Sequence, residues 1–413
     1  MHTQINSCRI CGDTGLEGLL SLGEQYLTGI FPRDPDASLS CGPLELVLCS
    51  ECGLVQLSHS FQPEEMYGQG YGYRSSLNRS MVEHLKAKIE GLKALVPLVV
   101  DDFVLDIGSN DGTSLSFYAQ GGPTLCGMDP SAEKFRRHYR QDIRLIVDFF
   151  SASRFRLEFG QDARPKIITS IAMFYDLEDP QEFVRQIKEI LHPQGVWHFE
   201  QSYLPSMLAS NAYDTICHEH LEYYGLKQIK RMTDQAGLEI LSVQLNDVNG
   251  GSFAVTVANR GAGYPRDRST ILKLLEAEER MGTHTPAPYE SFAQAIQEHR
   301  TGLVSLLVDL KAQGKTVLGY GASTKGNVIL QYCGLTPELL PAIAEVNESK
   351  FGAYTPGTRI PIISEHEARA MRPDYFLVLP WHFRKNIIAR EQEFLAQGGK
   401  FIFPLPRIEI VSI

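Results

Sequence analysis

The chain has 413 residues, more than one hydrophobic core usually holds, so two or three domains are expected. Hydrophobic residues make up 43% and charged residues 21%, an ordinary globular balance. A net charge of −10 argues against a broad phosphate-tracking surface, hence against nucleic acid as a partner, but leaves room for a basic pocket that takes one phosphate or diphosphate.

The first motif is Cys8-Arg9-Ile10-Cys11, answered later by Cys49-Ser50-Glu51-Cys52. The two-residue gap in each pair lets both thiolates reach one tetrahedral zinc, and four protein ligands leave no open position, so the zinc is expected to be structural. A redox pair fits poorly, because two matched pairs occur and neither lies in a βαβ pattern. Four buried free cysteines are the alternative. Cys41, close to the second pair, falls outside the symmetric set. The longest apolar stretches, such as Ala94 to Val100 and Tyr375 to Trp381, are too short to span a bilayer, and no basic-then-apolar leader opens the chain. A cytoplasmic protein without membrane association is expected, its eight cysteines serving metal or packing rather than disulfides.

A helix is expected from about Leu77 to Leu95. It is followed by Phe103-Val104-Leu105-Asp106-Ile107-Gly108-Ser109-Asn110-Asp111-Gly112, which reads as a buried strand entering a glycine turn, with a helix starting near Thr113. Leu125 to Asp129 reads as a second strand ending in an acid. Strand, glycine turn, helix and a strand ending in Asp about 20 residues on form the first half of a doubly wound nucleotide site. The turn lacks a full G-x-G-x-x-G, which weakens a dinucleotide reading. Its D-x-G-x-x-x-G form resembles class I methyltransferases. That likeness implies that Asp106, Gly108 and Asn110 face the methionine part of S-adenosylmethionine, that Asp129 and Pro130 meet its ribose, and that Asp148 meets the adenine edge. Lys166 to Ala172 and Val196 to Glu200 read as later strands, with a helix from Phe183 to Leu191 between them.

The densest polar run is Asp214 to Tyr224, centred on His218-Glu219-His220. H-E-H is not the H-E-x-x-H of zinc proteases, and on a helix its histidines would not share a face. On an extended segment they would, so a metal reading stays open beside that of a general base tuned by a carboxylate, or of a polar surface loop. Further on, Lys315 to Asn327 gives a second strand, glycine turn and helix start. It is neither a Walker loop nor a dinucleotide fingerprint, yet it suits a phosphate or polar sugar at a helix N-terminus. Ala344 to Glu348 and Tyr375 to Pro380 read as further parallel strands.

The ordered set of motifs resembles the zinc-containing sugar C-methyltransferases of deoxysugar biosynthesis over nearly the whole chain. The paired cysteines, Tyr71 to Ser76, Asp106 to Gly112, His218 to His220, Asn249-Gly250-Gly251-Ser252, Gly319 to Asn327 and Tyr354 to Thr358 carry that likeness. It implies an α/β fold of three parts. These are a small zinc-binding module over residues 1–70, a class I S-adenosylmethionine-dependent methyltransferase domain, Rossmann-like, over 71–260, and a second Rossmann-like, substrate-binding domain over 261–413. The cofactors implied are S-adenosylmethionine and a structural zinc on Cys8, Cys11, Cys49 and Cys52. The substrate implied is a nucleotide-linked 4-keto-6-deoxy sugar, methylated on the carbon beside the ketone. By the same likeness His220 is the base and Glu219 holds or orients the sugar. Tyr71, Tyr73 and Ser76 cover the cofactor. His218, Glu222, Tyr224, Asn249, Gly321, Lys325 and Asn327 are expected to contact the substrate. The chain departs from the family pattern at Asp176, Cys217, Asn249 and Phe253-Ala254, which puts the identity of the sugar in question. The competing readings are an O- or N-methyltransferase, a nicotinamide-dependent oxidoreductase and a non-catalytic zinc scaffold. With no long heptad or large apolar stripe, a monomer is expected.

Overall fold

A computed structural model describes residues 2–66 and 74–412. Its largest sheet has seven strands in the order Ile143–Ile146, Thr124–Met128, Phe103–Ile107, Pro165–Ile171, Val196–Ser202, Ser252–Asn259 and Leu238–Asn246. Only Ser252–Asn259 runs against its neighbours. The central strands are buried on both faces, which is why they read as near-continuous apolar runs. Helix Arg79–Leu95 is capped by the Asn78 side chain and buries Met81, Leu85, Ile89 and Leu92. These fall at helical spacing, and the last two pack with Val104, Leu125 and Val196 from one face of the sheet. Trp197 and Phe199 fill the other face.

One expected element is absent. In place of a helix near Thr113 the chain forms only a 3-10 turn, Leu115–Phe117. Asp111 accepts from both the backbone N–H and the hydroxyl of Thr113, and Ser116 Oγ donates back to the Thr113 carbonyl. Such local side-chain bonds compete with the helical ladder. Gly121, Gly122 and Pro123 then leave no room for a longer helix before the next strand.

The second Rossmann-like sheet has six strands, in the order Ile362–Ser364, Ile343–Glu345, Val317–Tyr320, Tyr375–Val378, Lys400–Phe403 and Glu409–Val411, the last antiparallel. The 26-residue helix Ala287–Ala312 leads into it. Helix Arg268–Met281 lies before that lead-in and packs on Leu238–Asn246 and on helix Leu226–Gln235, so the packing of the middle domain runs past residue 260.

The front end is not a detached bead. Its strands Leu16–Tyr26, Cys41–Cys49 and Val55–Leu57 form a four-stranded sheet whose last strand, Glu222–Tyr223, comes from the polar run in the middle of the chain. Leu44, Leu46, Leu48 and Leu57 share one continuous core with Tyr289, Phe292 and Ile296 of the long helix and with the six-stranded sheet. No helix among the described residues is long and apolar enough to cross a membrane.

Candidate active site

The paired cysteines converge as their spacing predicts. The four Sγ atoms of Cys8, Cys11, Cys49 and Cys52 lie within 4.8 Å of one another, with Cys8 to Cys52 at 3.6 Å and Cys11 to Cys49 at 3.5 Å. Thiolates at about 2.3 Å from a tetrahedral zinc would stand roughly 3.8 Å apart, so the donor set fits that ion. Each pair closes the same turn, Gly12 N–H donating to the Cys8 carbonyl and Gly53 N–H to that of Cys49. Cys41 is exposed and outside the set. Among the described residues no other group of His, Cys, Asp and Glu side chains converges in this way, the H-E-H motif included.

At the first glycine turn Asp106 sits beneath the loop, its carboxyl taking the Thr169 hydroxyl. Burial, with Asp129 adding a like charge, pushes the Asp106 carboxyl up to about 7. Gly108 has φ +70°, and a Cβ there would lie 3.0 Å from Met173 Cγ, so only backbone can face a ligand at this point. Asp129 accepts from the Asn110 N–H at 2.8 Å with one oxygen and from Ser131 N–H and Oγ with the other. Tyr139 braces the turn by donating to the Asn110 carbonyl at 2.9 Å, and its ring lies where a Cβ on Gly112 or Gly127 would go. The segment Arg74 to Ser76 rests on the same turn. Ser75 N–H donates to Asn110 Oδ1, Ser76 N–H to Asp111 Oδ2, and Arg74 pairs with Asp111 at 3.3 Å. Tyr71 and Tyr73 lie outside the described residues. Asp148 stands at the exposed rim beyond the strand Ile143–Ile146, 3.6 Å from Arg154. These groups converge on the turn at the carboxyl end of the strand Phe103–Ile107, the place where a doubly wound sheet takes its nucleotide.

The H-E-H motif is an irregular loop that sends His218 and Glu219 to the front end and keeps His220 in the middle domain. The backbone of Leu221 donates to the Tyr175 carbonyl, and the Tyr175 ring lies 4.2 Å from that of His220. His220 Nδ1 donates to the Thr215 carbonyl at 2.8 Å. A carbonyl can only accept, so the ring proton is fixed on Nδ1 and the lone pair stays on Nε2. Burial, and next the charge of Lys325, hold this imidazole down at about 3, so it is neutral at pH 7.

Lys325, in the first turn of helix Thr324–Tyr332, reaches across from the six-stranded sheet. Its Nζ donates to Thr215 Oγ1 at 2.9 Å and to the Asn249 carbonyl at 2.8 Å. Asp214, buried alongside, accepts from the Trp381 indole at 2.8 Å. His220, Lys325 and Asn249 are thus brought together at one junction.

The other expected contacts point elsewhere. Glu219 turns toward the front end, taking the Thr28 hydroxyl at 3.2 Å, and a Cβ on Gly29 would come within 2.7 Å of its carboxylate. His218 is wholly buried, with Nε2 at 3.3 Å from the Gly42 carbonyl and its ring edge-on to Phe61. Glu222 faces Arg9 at 3.7 Å inside the zinc knuckle, and Tyr224 stacks on Phe174. Asn327 donates to the Thr28 carbonyl, and Gly321 abuts Pro380.

Residues with no assigned role in the sequence complete the junction: Thr215, Tyr175, Trp381 and His382. Trp381–Phe383 is a 3-10 turn just past the strand Tyr375–Val378. The rule that ligands bind beyond the carboxyl ends of parallel strands is the one signal that could have singled it out.

Comparison with known proteins finds three family models along the chain. Residues 8–67 match a zinc binding domain, 81–243 a methyltransferase domain and 247–406 a C-methyltransferase C-terminal domain. C-methyltransferase NovU from Streptomyces niveus is 31% identical over 410 residues, covering 99% of this chain and 97% of its own. Two solved structures align over smaller parts. The CcbJ methyltransferase from Streptomyces caelestis is 13% identical, covering 42% of this chain and 89% of that one at a TM-score of 0.33. An S-adenosylmethionine-dependent methyltransferase from Mesorhizobium loti is 15% identical, covering 42% and 99% at a TM-score of 0.33.

Proposed function

The chain belongs to the zinc-containing, S-adenosylmethionine-dependent C-methyltransferase family, and from that premise we propose that it methylates the carbon beside the ketone of a nucleotide-linked keto-deoxysugar. The observation that carries this reading is the tautomer of His220. Its Nδ1 proton is spent on the Thr215 carbonyl, leaving Nε2 as an acceptor at the junction of the two Rossmann-like domains. S-adenosylmethionine bound at the Gly108 turn supplies an electrophilic methyl group. His220 takes the acidic α-hydrogen of the ketone, and the resulting enolate carbon is the nucleophile. Glu219 holds the loop that carries His220 by anchoring it to Thr28, and Ser76 and its neighbours close over the cofactor turn.

Methyl transfer to oxygen or nitrogen needs no acidic C–H, so hydrogen exchange separates the two chemistries. With S-adenosylhomocysteine bound, the enzyme should wash deuterium from heavy water into the α-position of a nucleotide keto sugar. A protein that methylates such a sugar yet never exchanges that hydrogen would overturn the carbon assignment. Calorimetric titration that finds binding of nicotinamide cofactors alone would overturn the methyltransferase reading itself. The reading includes a cytoplasmic, monomeric enzyme, the latter checked by sedimentation.

A further inference from the structure

A ketone's α-hydrogen is far too weak an acid for an unaided imidazole. Removing it requires that the charge appearing on the carbonyl oxygen be met by a fixed donor or cation. The problem is sharper here, because burial, and next the charge of Lys325 itself, make His220 a weak base: neutral, as it must be, but reluctant to hold a proton. The barrier therefore has to be lowered at the oxygen end.

Lys325 occupies the right place. Thr215 anchors both partners, its carbonyl fixing the His220 ring and its hydroxyl holding the Lys325 ammonium. Base and cation are thus set by one residue, with the cation delivered by a different domain. Two N–H groups of Lys325 are used, on Thr215 Oγ1 and the Asn249 carbonyl. Among the described residues no third acceptor lies within hydrogen-bond reach, and Asp214 makes no salt bridge with it. A purely structural tie could be made by a neutral amide, whereas a part-buried ammonium is costly, and Asp214 offsets that cost only through its charge, without a direct ion pair. A second observation points to a ligand at this place. Nδ1 of His382, on the turn whose Trp381 ring closes over Gly250, is buried and has no partner among the described residues. A polar atom in that position is expected to find one in the complete complex.

We propose that Lys325 is a catalytic residue, the electrophile that stabilises the enolate oxygen opposite the His220 base. The assignment rests on the keto-sugar reading above. In the step, the α-C–H bond breaks as its proton passes to His220 Nε2. Its electron pair becomes the C=C bond, and the carbonyl π pair moves onto oxygen, which takes the third N–H of Lys325. The carbon then attacks the methyl group of the sulfonium cofactor, the S–C bond breaks onto sulfur, and the carbonyl re-forms.

The test uses full-length, zinc-loaded enzyme and follows α-hydrogen exchange and methyl transfer separately. Lys325→Met should slow both by about 10²–10³-fold, the loss seen when one oxyanion donor is removed. The affinity for S-adenosylhomocysteine and the KM for the sugar should stay within about threefold. Added ethylamine should restore part of the exchange in Lys325→Ala. If Lys325→Met fails to bind S-adenosylhomocysteine and so has not folded, Lys325→Gln replaces it, since an amide keeps two N–H groups for Thr215 and Asn249. Exchange within about threefold of wild type in a folded variant, or a loss carried wholly by KM, would overturn the assignment. Wild-type enzyme that neither exchanges nor methylates any nucleotide keto sugar would instead remove the reading on which it rests.

Discussion

The two glycine turns of this chain are built to one plan and packed against different neighbours. In each, an acid at the end of the neighbouring strand accepts from a turn N–H, Asp129 from Asn110 at 2.8 Å and Glu345 from Ala322 at 2.7 Å. Around Gly108 the other Asp129 oxygen takes the Ser131 N–H and hydroxyl, Tyr139 donates to the Asn110 carbonyl, and the segment Arg74 to Ser76 lies on the turn. Around Gly321 the turn closes on its own protein. Lys350 donates to the Ala322 carbonyl at 2.7 Å, the other Glu345 oxygen takes two more backbone N–H groups, and a Cβ on Gly321 would meet Pro380 at 2.7 Å. Held in this way, the second turn makes a rigid base from which Lys325 reaches the neighbouring domain. The difference teaches that a glycine turn is a way of holding backbone, and that the side chains packed around it decide whether it binds or braces.

The sharpest way to break this contrast is to strike the junction that belongs to neither turn. His220→Asn should lower methyl transfer by about 10²–10⁴-fold while leaving S-adenosylhomocysteine affinity intact, as read by single-turnover kinetics beside calorimetry. Unchanged turnover would mean that the base lies elsewhere. A smaller effect is expected at the first turn. Asp129→Ala removes the carboxylate that fixes Asn110 and should weaken cofactor binding about tenfold to a hundredfold, the loss of one charge-assisted bond. The equivalent change at the second turn, Glu345→Gln, should leave cofactor affinity untouched and cost about 1–3 kcal/mol of stability in urea unfolding, because backbone donors lose a charged acceptor. Equal loss of affinity in both variants would erase the distinction between the turns. The least change is expected with pH. His220 is held near 3 in the free enzyme, and protonation below that value removes the acceptor. On the acid side kcat/KM should therefore stay level well below the usual imidazole value, and an acid limb at pH 6 or above would contradict this.

Much of this was readable from residue spacing. The paired cysteines, the Asp106 to Gly112 turn and the second turn at Gly319 each place their chemistry within a few residues, where the geometry of one strand and one loop dictates what meets what. Local pattern failed where polar side chains chose their own partners. Asp111 and Thr113 undid an expected helix. It failed again where contacts cross domains. Nothing periodic in His218-Glu219-His220 says that one histidine will face Phe61, the other Thr215, and the glutamate Thr28. The Trp381 turn was invisible for the same reason, since its partners Asp214 and Gly250 come from turns far away in the chain.

The four-stranded sheet at the front end has a consequence for the order in which the molecule is assembled. Its last strand is Glu222–Tyr223, and its leucines complete their core against the helix Ala287–Ala312. On the ribosome the N-terminal module is made first, but it cannot be finished first, because the strand and helix that seal it are synthesised far later. Contacts so distant in sequence close slowly. The nascent front end must wait, its leucines uncovered, and the metal that gathers Cys8, Cys11, Cys49 and Cys52 is the local tie on hand to keep the hairpins together until the rest of the chain arrives.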